Sequence, residues 1–194
     1  KWYWSYSFII AFLEYIGGQI SWKLFFVGEL SNAVMYVFLC YSMEAQEKIE
    51  TVLNHIQNVQ RNCYKLGLKL IKCGEVELGR NLIANGQIHD NSKFKGIEFE
   101  HLFYGDPILS DVIKHHNTTN PHHPEFWGKI QSMPEIYLIE MVCDCTSRSA
   151  EFVSDVRVWF SDTATKKYSF LMDDEVGKKI THYLDLLLSP PFKN

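Results

Sequence analysis

The sequence predicts an all-α protein, because from Met43 onward its apolar residues recur at three- and four-residue steps. Glycine and proline interrupt these periodic stretches at positions typical of helix ends. An alternating apolar and polar pattern, which would indicate a strand, is found only at 156–160. The composition is that of a folded domain, since 46% of the 194 residues are hydrophobic and 22% are charged.

The first of these helices is predicted from about residue 44 to residue 72. Its apolar stripe consists of Ile49, Val52, Leu53, Ile56, Val59, Cys63, Leu66 and Leu70. Cys73-Gly74 follows as a glycine signal for the end of the helix. A second helix is predicted from Glu75 towards Asn91, and the residues expected to face inward are Leu78, Leu82, Ile83 and Ile88.

The third helix is predicted to begin after Asp106, its N-cap, with Pro107 at its first position. It carries apolar residues as far as about His116, and the residues that follow are polar. The segment 117–127 contains proline and is expected to be a loop.

Two further helices are predicted in the last third of the chain. Ser132 is expected to cap the first of them, with Pro134 near its first turn. Its buried side is expected to contain Ile136, Ile139, Val142 or Cys143, and Phe152. The final helix is predicted over 173–188, entered through acidic residues that suit the positive end of the helix dipole.

The first 42 residues differ in composition from the rest, with 28 apolar residues and four charged ones. We therefore divide the chain into an apolar N-terminal segment, 1–42, and a helical domain, 43–194. The stretch 24–42 is near the length that spans a bilayer, although Glu29 and Asn32 fall within it. Three interpretations stay open: a membrane anchor, a helical hairpin that packs on the domain, and translation of sequence upstream of a true start at Met43.

The net charge and the cysteine content limit which partners the protein is expected to bind and in which compartment it is expected to lie. A formal net charge of −4 argues against a general nucleic-acid binder, which needs a basic face. Five cysteines without framework spacing do not fit a disulfide-stapled secreted domain. We expect a cytoplasmic protein with a small-molecule partner and no sequence-specific nucleic acid. The alternative is a protein tethered to a membrane through residues 1–42.

The placement of histidine and aspartate points to chemistry. His55 falls within the first helix of the domain, His89 and Asp90 are adjacent, and Asp144 lies within the helix that follows Pro134. Imidazole nitrogens and carboxylate oxygens together suit Zn, Mn, Fe or Co rather than Ca. Ligands carried by separate helices suit a site inside a helical bundle. The sequence therefore predicts a divalent metal site.

This arrangement resembles the HD-domain superfamily of metal-dependent phosphohydrolases over about residues 50–160. The resemblance rests on His55, the string His89-Asp90-Asn91-Ser92-Lys93, and Asp144. It implies an HD-domain-like helical bundle whose metal ligands are His55, His89, Asp90 and Asp144. More narrowly, the strings HDxSKF and HHxxxNPHHPEFW look like an uncharacterised group of small bacterial and phage HD-like proteins.

Members of the superfamily that bind two metals add two histidines between the doublet and the final aspartate. The pairs His115-His116 and His122-His123 could supply them, and we assign His115 and His122 as the additional ligands. Which of the four histidines bind stays open. The resemblance implies a cofactor of one or two divalent ions, drawn from Mn, Co, Zn, Fe and Mg.

The resemblance also implies hydrolysis of a nucleotide or another small phosphate ester by a water activated on the metal. Lys93 and His116 are expected to hold phosphoryl oxygens or to protonate the leaving oxygen. Arg148 and Asn120 are expected to bind the substrate. Arg148 could also pair with Asp144, four residues earlier on the same helix face.

Two other functions are open at this point. Some HD-fold proteins hold two irons and activate O₂, and coloured, iron-loaded protein with O₂ uptake would favour such an oxygenase. The other alternative is a metal-stabilised binding or signalling module without turnover. In that case chelation would lower the melting temperature and abolish no reaction.

Overall fold

The structure is a computed structural model that describes the backbone of residues 20–105 and 108–190, with side chains from Met43 onward. Within these residues the chain forms helices and turns and no strand, which confirms the all-α prediction. The chain divides into two compact units, and the second begins at Glu47. Residues 1–42, to which the anchor, hairpin and upstream-translation interpretations apply, lie outside the fully described residues. The predicted division into 1–42 and 43–194 stays a prediction.

Helix α1 (Ile20–Lys72) begins earlier than the predicted start at residue 44. Its buried residues include Ile56, Val59, Cys63, Leu66 and Leu70, as the apolar stripe predicted, whereas Leu53 is exposed. Gly74 has a φ of +94°. The N–H of Glu75 donates to the carbonyl of Leu70 at 2.9 Å, so the glycine ends the helix as predicted.

Helix α2 (Val76–Ile88) is shorter than the predicted helix, which extended to Asn91. Leu82 is fully buried, but Ile88, expected to face inward, is 65% exposed. Ile88 is two residues after the buried Gly86 and six after Leu82, which places it on the opposite side of the helix from the buried face. Beyond it the backbone leaves the helical conformation at His89 and adopts a φ of 57° at Asp90. A 3₁₀ turn over Asn91–Phe94 follows.

Helices α1 and α2 pack closely where both carry glycine. A Cβ atom on Gly67 would meet the carbonyl oxygen of Gly79 at 2.7 Å, and a Cβ atom on Gly79 would meet the carbonyl oxygen of Gly67. Two turns further along α2, a Cβ atom on Gly86 would lie 2.6 Å from Cβ of Cys63. This close packing holds the end of α2 against the helix that carries His55.

Helix α3 (Gly96–Tyr104) was not predicted from the sequence. It is short, and its most buried residue is Glu98, a charged side chain at a position where periodicity would require an apolar one. Its end is marked by Gly105, which has a φ of 80°.

Helix α4 (Leu109–Thr119) begins with Ile108 at the N-cap position. The predicted cap Asp106 and first residue Pro107 lie outside the described residues. The helix continues three residues beyond His116, so the predicted loop over 117–127 begins later than expected. That loop also contains a 3₁₀ turn over Pro124–Trp127.

Helix α5 (Glu135–Glu151) is preceded by Pro134 at the N-cap position. Ser132, the predicted cap, instead ends a separate 3₁₀ turn over Ile130–Ser132. Ile139, Val142 and Cys143 are fully buried as predicted. Phe152 is 73% exposed, because the helix has ended before it and its side chain leaves the buried face.

The candidate strand at 156–160 is helical. Helix α6 is α-helical over Val156–Val158 and Thr165–Tyr168, with a π-helical turn over Trp159–Ala164 between them. The Asp155 carboxylate accepts hydrogen bonds from the N–H groups of Arg157 and Val158, which starts the helix despite the β-branched residues. Helix α7 (Glu175–Leu188) starts after the Asp174 cap, two residues later than predicted.

The hydrophobic core lies between α1, α2, α5, α6 and α7. Its fully buried members include Val59, Leu66, Leu82, Ile139, Phe160, Ile180 and Leu184. Over residues 43–105 and 108–190, no helix combines the length and the apolar character that crossing a bilayer requires. The faces of α1, α2 and α5 that turn away from the core carry polar residues, and the histidines lie on that side.

Candidate metal centre

Polar stripes on α1 and α5 hold the two helices together beside the core. Asn62 Nδ2 donates to Ser147 Oγ at 2.8 Å. Two turns earlier on α1, His55 Nδ1 lies 3.0 Å from Glu151 Oε1. On the opposite edge of the same ring, His55 Nε2 lies 3.0 Å from Asp144 Oδ1. These polar contacts hold the His55 ring between two carboxylates of α5, those of Asp144 and Glu151.

The His89-Asp90 doublet joins this pair at the end of α2. Because Asp90 has a left-handed backbone, its side chain diverges from that of His89 and both side chains reach one centre. Asp90 Oδ2 lies 3.7 Å from His89 Nε2 and 4.0 Å from His55 Nε2. The structure thus brings together His55, His89 and Asp90, with Asp144 in contact with His55.

A second group of histidines lies on the other oxygen of Asp90. His116 Nε2 is 3.2 Å from Asp90 Oδ1, and His122 Nε2 is 3.3 Å from the same oxygen. Ligand atoms of His116, His122 and His123 all lie within 4.8 Å of one another. Asp90 therefore stands between two sets of nitrogen atoms and offers one oxygen to each.

Three of these histidines have a carboxylate on Nδ1, the nitrogen that faces away from Asp90. Their Nδ1 atoms lie 3.0 Å from Glu151 for His55, 2.9 Å from Glu140 for His89, and 2.8 Å from Glu98 for His116. A carboxylate there favours the tautomer with the proton on Nδ1 and leaves the Nε2 lone pair available. This pairing is typical of histidines that bind metals.

Several ligand atoms at this centre are buried and make no hydrogen bond within the described residues. They are His89 Nε2, Asp90 Oδ1, His122 Nε2, His123 Nε2 and Asp144 Oδ1. Asp144 Oδ1 and Asp90 Oδ1 do lie 3.0–3.3 Å from histidine nitrogens, so their contacts are those of an ion-pair cluster. Buried polar atoms that lack a hydrogen bond are unfavourable and require an explanation. All five atoms are nitrogen or carboxylate oxygen, the donors that divalent transition metals take. The residues fit a metal ion, and these buried His/Asp groups could hold one.

The electrostatics of the centre are those of a negatively charged pocket. Burial alone would lower the pKa of His89, but Glu140, Asp90 and Asp144 outweigh it and raise this pKa to about 9. Burial, assisted by the charge of His122, lowers the pKa of His123 to about 3. Without an ion, the carboxylates thus draw a proton onto His89, while His123 stays neutral with a free lone pair.

The structure places three of the predicted site residues in surroundings that differ from what their predicted roles suggest, and the roles themselves stay predictions. His115, expected to bind metal, has a side chain that is 43% exposed, and its neighbour His116 occupies the position in the centre. The two rings diverge because adjacent helical residues point about 100° apart. Asn120, expected to bind substrate, donates instead to Ser92 Oγ and the His116 carbonyl, at 3.0 and 2.9 Å. His116, expected as a catalytic group, belongs with the candidate ligands.

The two predicted cations do lie at the centre. Lys93 Nζ is 3.4 Å from Asp90 Oδ2 and 3.3 Å from His116 Nε2. Arg148 extends from α5, and its guanidinium lies 3.4 Å from Glu151 Oε2. Among the described residues, its ion pair is therefore with Glu151, three residues later on the helix. Both line a cavity of about 420 Å³ whose wall includes His55, Asp90 and Asp144. A small molecule in this cavity would contact the cluster and both cations.

Sequence reasoning missed Glu98 and Glu151, and it left open whether His123 belongs to the centre. Glu140 Oε1 lies 2.9 Å from His89 Nδ1 and so supports a candidate ligand. Glu151 could have been found, because Glu140, Asp144, Ser147 and Glu151 recur at four- and three-residue steps on one face of α5. Glu98 offered no such signal, since it lies on the helix that periodicity did not predict.

Fold and centre together define an all-α protein with a buried His/Asp cluster that could hold a metal ion. Residues 104–186 match a model described as a family of unknown function, DUF5662. The match covers less than half of the chain, and it includes His116, His122, His123 and Asp144 but not His55, His89 or Asp90. No curated protein and no solved structure matches the chain.

Proposed function

We propose that the protein is a metal-dependent phosphohydrolase, related to the HD-domain superfamily, that holds two divalent ions. One observation carries the proposal: Asp90 presents separate oxygens to two sets of buried nitrogens, several of which have no other partner. His55, His89, Asp90 and Asp144 would hold the first ion. Asp90, His116, His122 and His123 would hold the second.

The ligand chemistry limits the identity of the ions. The first set has two nitrogen and two oxygen donors, and the second has three nitrogen donors and one oxygen donor. This content of imidazole nitrogen favours Mn, Fe, Co or Zn over Mg and Ca. When bound, such ions supply Lewis acidity that activates water and neutralises charge developing on a phosphoryl group. Glu98, Glu140 and Glu151 hold the imidazole rings in place by accepting from Nδ1.

Lys93 and Arg148 are the groups of this chain that would bind the phosphoryl oxygens. Lys93 has a side chain that is 21% exposed and lies beside Asp90, so its ammonium can reach a ligand next to the cluster. Arg148 is half exposed and lines the same cavity, where its planar guanidinium suits two phosphoryl oxygens at once. Lys93 is also placed to donate a proton to a leaving oxygen.

The proposed substrate is a nucleotide or another small phosphate ester. The cavity of about 420 Å³ is within the range of small-molecule sites in proteins. It combines cations at the cluster with apolar side chains from α1 and α4, so a phosphate and an apolar group could bind side by side.

The test is phosphate release from a panel of nucleotides and simple phosphate esters by protein loaded with Mn, Co, Zn or Fe. Asp90→Asn keeps the size of the side chain and removes the charge shared by both sets, so activity should fall about 100-fold or more. Asp111→Asn, on the exposed face of α4, is the matched control and should retain activity. Equal activity of wild type and Asp90→Asn would contradict the proposal.

The same preparations distinguish the two alternatives. Protein that carries iron, is coloured and consumes O₂ without releasing phosphate would be an oxygenase. Protein whose melting temperature falls on chelation but which turns over neither phosphate esters nor O₂ would be a metal-stabilised module.

A further inference from the structure

A second cavity, of about 320 Å³, shares part of its lining with the first. Asn117, His123, Asp144 and Arg148 line both cavities. We propose, on the basis of the phosphohydrolase function above, that the site takes a phosphodiester, with the phosphate at the shared residues and one ester arm in each cavity. A phosphomonoester has one arm and would fill one cavity alone.

The first cavity presents an aliphatic wall. Val52 comes from α1, Leu102 from α3, and Leu109, Val112 and Ile113 from α4. Leu109 and Ile113 are 53% and 50% exposed, so they leave apolar surface uncovered beside the cluster. A ligand that covered these side chains would remove that surface from water, which favours an apolar arm.

The second cavity is lined by α5 and α6 and presents aromatic side chains. Trp159 and Tyr168 line it together with Phe152, and Lys167 Nζ lies 4.6 Å from the centre of the Tyr168 ring. Trp159 lies at the start of the π-helical turn of α6, an irregularity that often occurs at functional sites. Aromatic faces of this kind suit a planar arm such as an aryl group or a nucleobase.

The charges that line the two cavities favour a ligand with one negative charge at the phosphate. Lys93 lies 3.4 Å from Asp90, Arg148 lies 3.4 Å from Glu151, and Lys167 lies 3.0 Å from Glu125. Because each cation already faces a carboxylate, the lining offers little unbalanced positive charge for a polyphosphate chain. A phosphodiester carries a single charge and needs less compensation.

The reaction would break one P–O bond to an ester arm and form one P–O bond to the oxygen of water. The arm leaves as an alcohol after its oxygen takes a proton, and the other arm remains on a phosphomonoester. No oxidant or further reactant is required.

The probes are bis(4-nitrophenyl) phosphate, a diester, and 4-nitrophenyl phosphate, the corresponding monoester, with the metal-loaded full chain. We expect kcat/KM for the diester to exceed that for the monoester by about tenfold or more, since both arms contribute binding. Monoester hydrolysis without diester hydrolysis would overturn this inference and leave the proposed function standing. Hydrolysis of neither would contradict the proposed function itself.

Two substitutions test the assignment of the arms. Ser154→Trp fills the second cavity and Ile113→Trp fills the first, and each should lower the ratio of diester to monoester kcat/KM by about tenfold. Ser132→Trp and Ile88→Trp make the same changes at exposed positions outside both cavities and should leave the ratio unchanged. An unchanged ratio in both cavity variants would overturn the proposal.

A binding measurement supplies a readout that does not depend on turnover. The slowly hydrolysed analogue bis(4-nitrophenyl) phosphorothioate should bind the metal-loaded wild type with measurable heat by calorimetry. Ser154→Trp should weaken this binding by about tenfold, and Ser132→Trp should not. Equal affinity in the two variants would show that no arm occupies the second cavity.

Discussion

At the scale of single residues, the centre depends on which nitrogen of each histidine is used. The carboxylates of Glu98, Glu140 and Glu151 lie at the Nδ1 atoms, so the Nε2 atoms of three rings point at Asp90 or Asp144. The ligand types and the doublet could be predicted from sequence because they belong to a recognisable order along the chain. The sequence could not show that His116, and not His115, points into the centre. Adjacent residues of a helix differ only in the direction of their side chains, and the packing of α3 against α4 decides which side chain faces the centre.

A residue-scale prediction concerns the helix cap at Asp174. Its carboxylate accepts hydrogen bonds from the N–H groups of Gly177 and Leu171, which lower its pKa below the ordinary value. Asp174→Ala should therefore cost about 1 kcal/mol of unfolding free energy at pH 7. Urea denaturation measures this difference, and Asp173→Ala, one residue earlier, is the matched control.

The sign of the pH dependence follows from the lowered pKa of Asp174. The stabilisation is present above the ordinary aspartate pKa, near 3.9, and is lost as the pH falls through the lower pKa of the folded state. The difference between wild type and Asp174→Ala should shrink as the pH falls below about 4. A difference that stays constant down to pH 2 would contradict a charged cap.

At the scale of elements, the sequence predicted five of the seven described helices at nearly the right places. In four of them, α1, α2, α5 and α7, apolar residues face one continuous core. The fifth, α4, was predicted from apolar residues that line the first cavity instead. Helix α3 was missed because its buried face carries Glu98, which serves the centre and not the core. The 156–160 stretch was assigned wrongly because β-branched residues favour strands locally, whereas the Asp155 cap and the buried Phe160 place it in a helix.

An element-scale prediction concerns the glycine contact between α1 and α2. In Gly79→Ala, the new methyl group would meet the Gly67 carbonyl and the Ile71 side chain, so the helices must move apart. Overpacking of this kind costs about 1–3 kcal/mol, which exceeds the gain of up to about 1 kcal/mol from replacing a helical glycine by alanine. Urea denaturation should show a net loss of stability.

The control for the glycine contact is Gln87→Ala, an exposed position on the same helix. It should change the unfolding free energy by no more than about 0.5 kcal/mol. A Gly79→Ala protein as stable as this control would mean that the two helices do not approach as closely as the structure shows.

At the scale of the whole molecule, the fold places one apolar core on one side of α1, α2 and α5 and one polar cluster on the other. Each of these helices thereby contributes apolar residues to the core and polar residues to the cluster. The cluster is buried, but it lies beside the core and not within it. The convergence of His55, His89, Asp90 and Asp144 could be proposed from the sequence because their order along the chain resembles that of the HD-domain superfamily. The two cavities could not, because they depend on how α3, α4 and α6 pack around the cluster.

The most direct test of the metal centre is the metal content of the purified chain after dialysis against Mn, Fe, Co or Zn, measured by mass spectrometry of the elements. Wild type should retain about one to two equivalents per chain, and Asp90→Asn should lose most of them. Asp111→Asn should retain as much as wild type. A wild-type chain that holds none of these metals, or an Asp90→Asn variant that holds them equally, would contradict a metal centre built on Asp90.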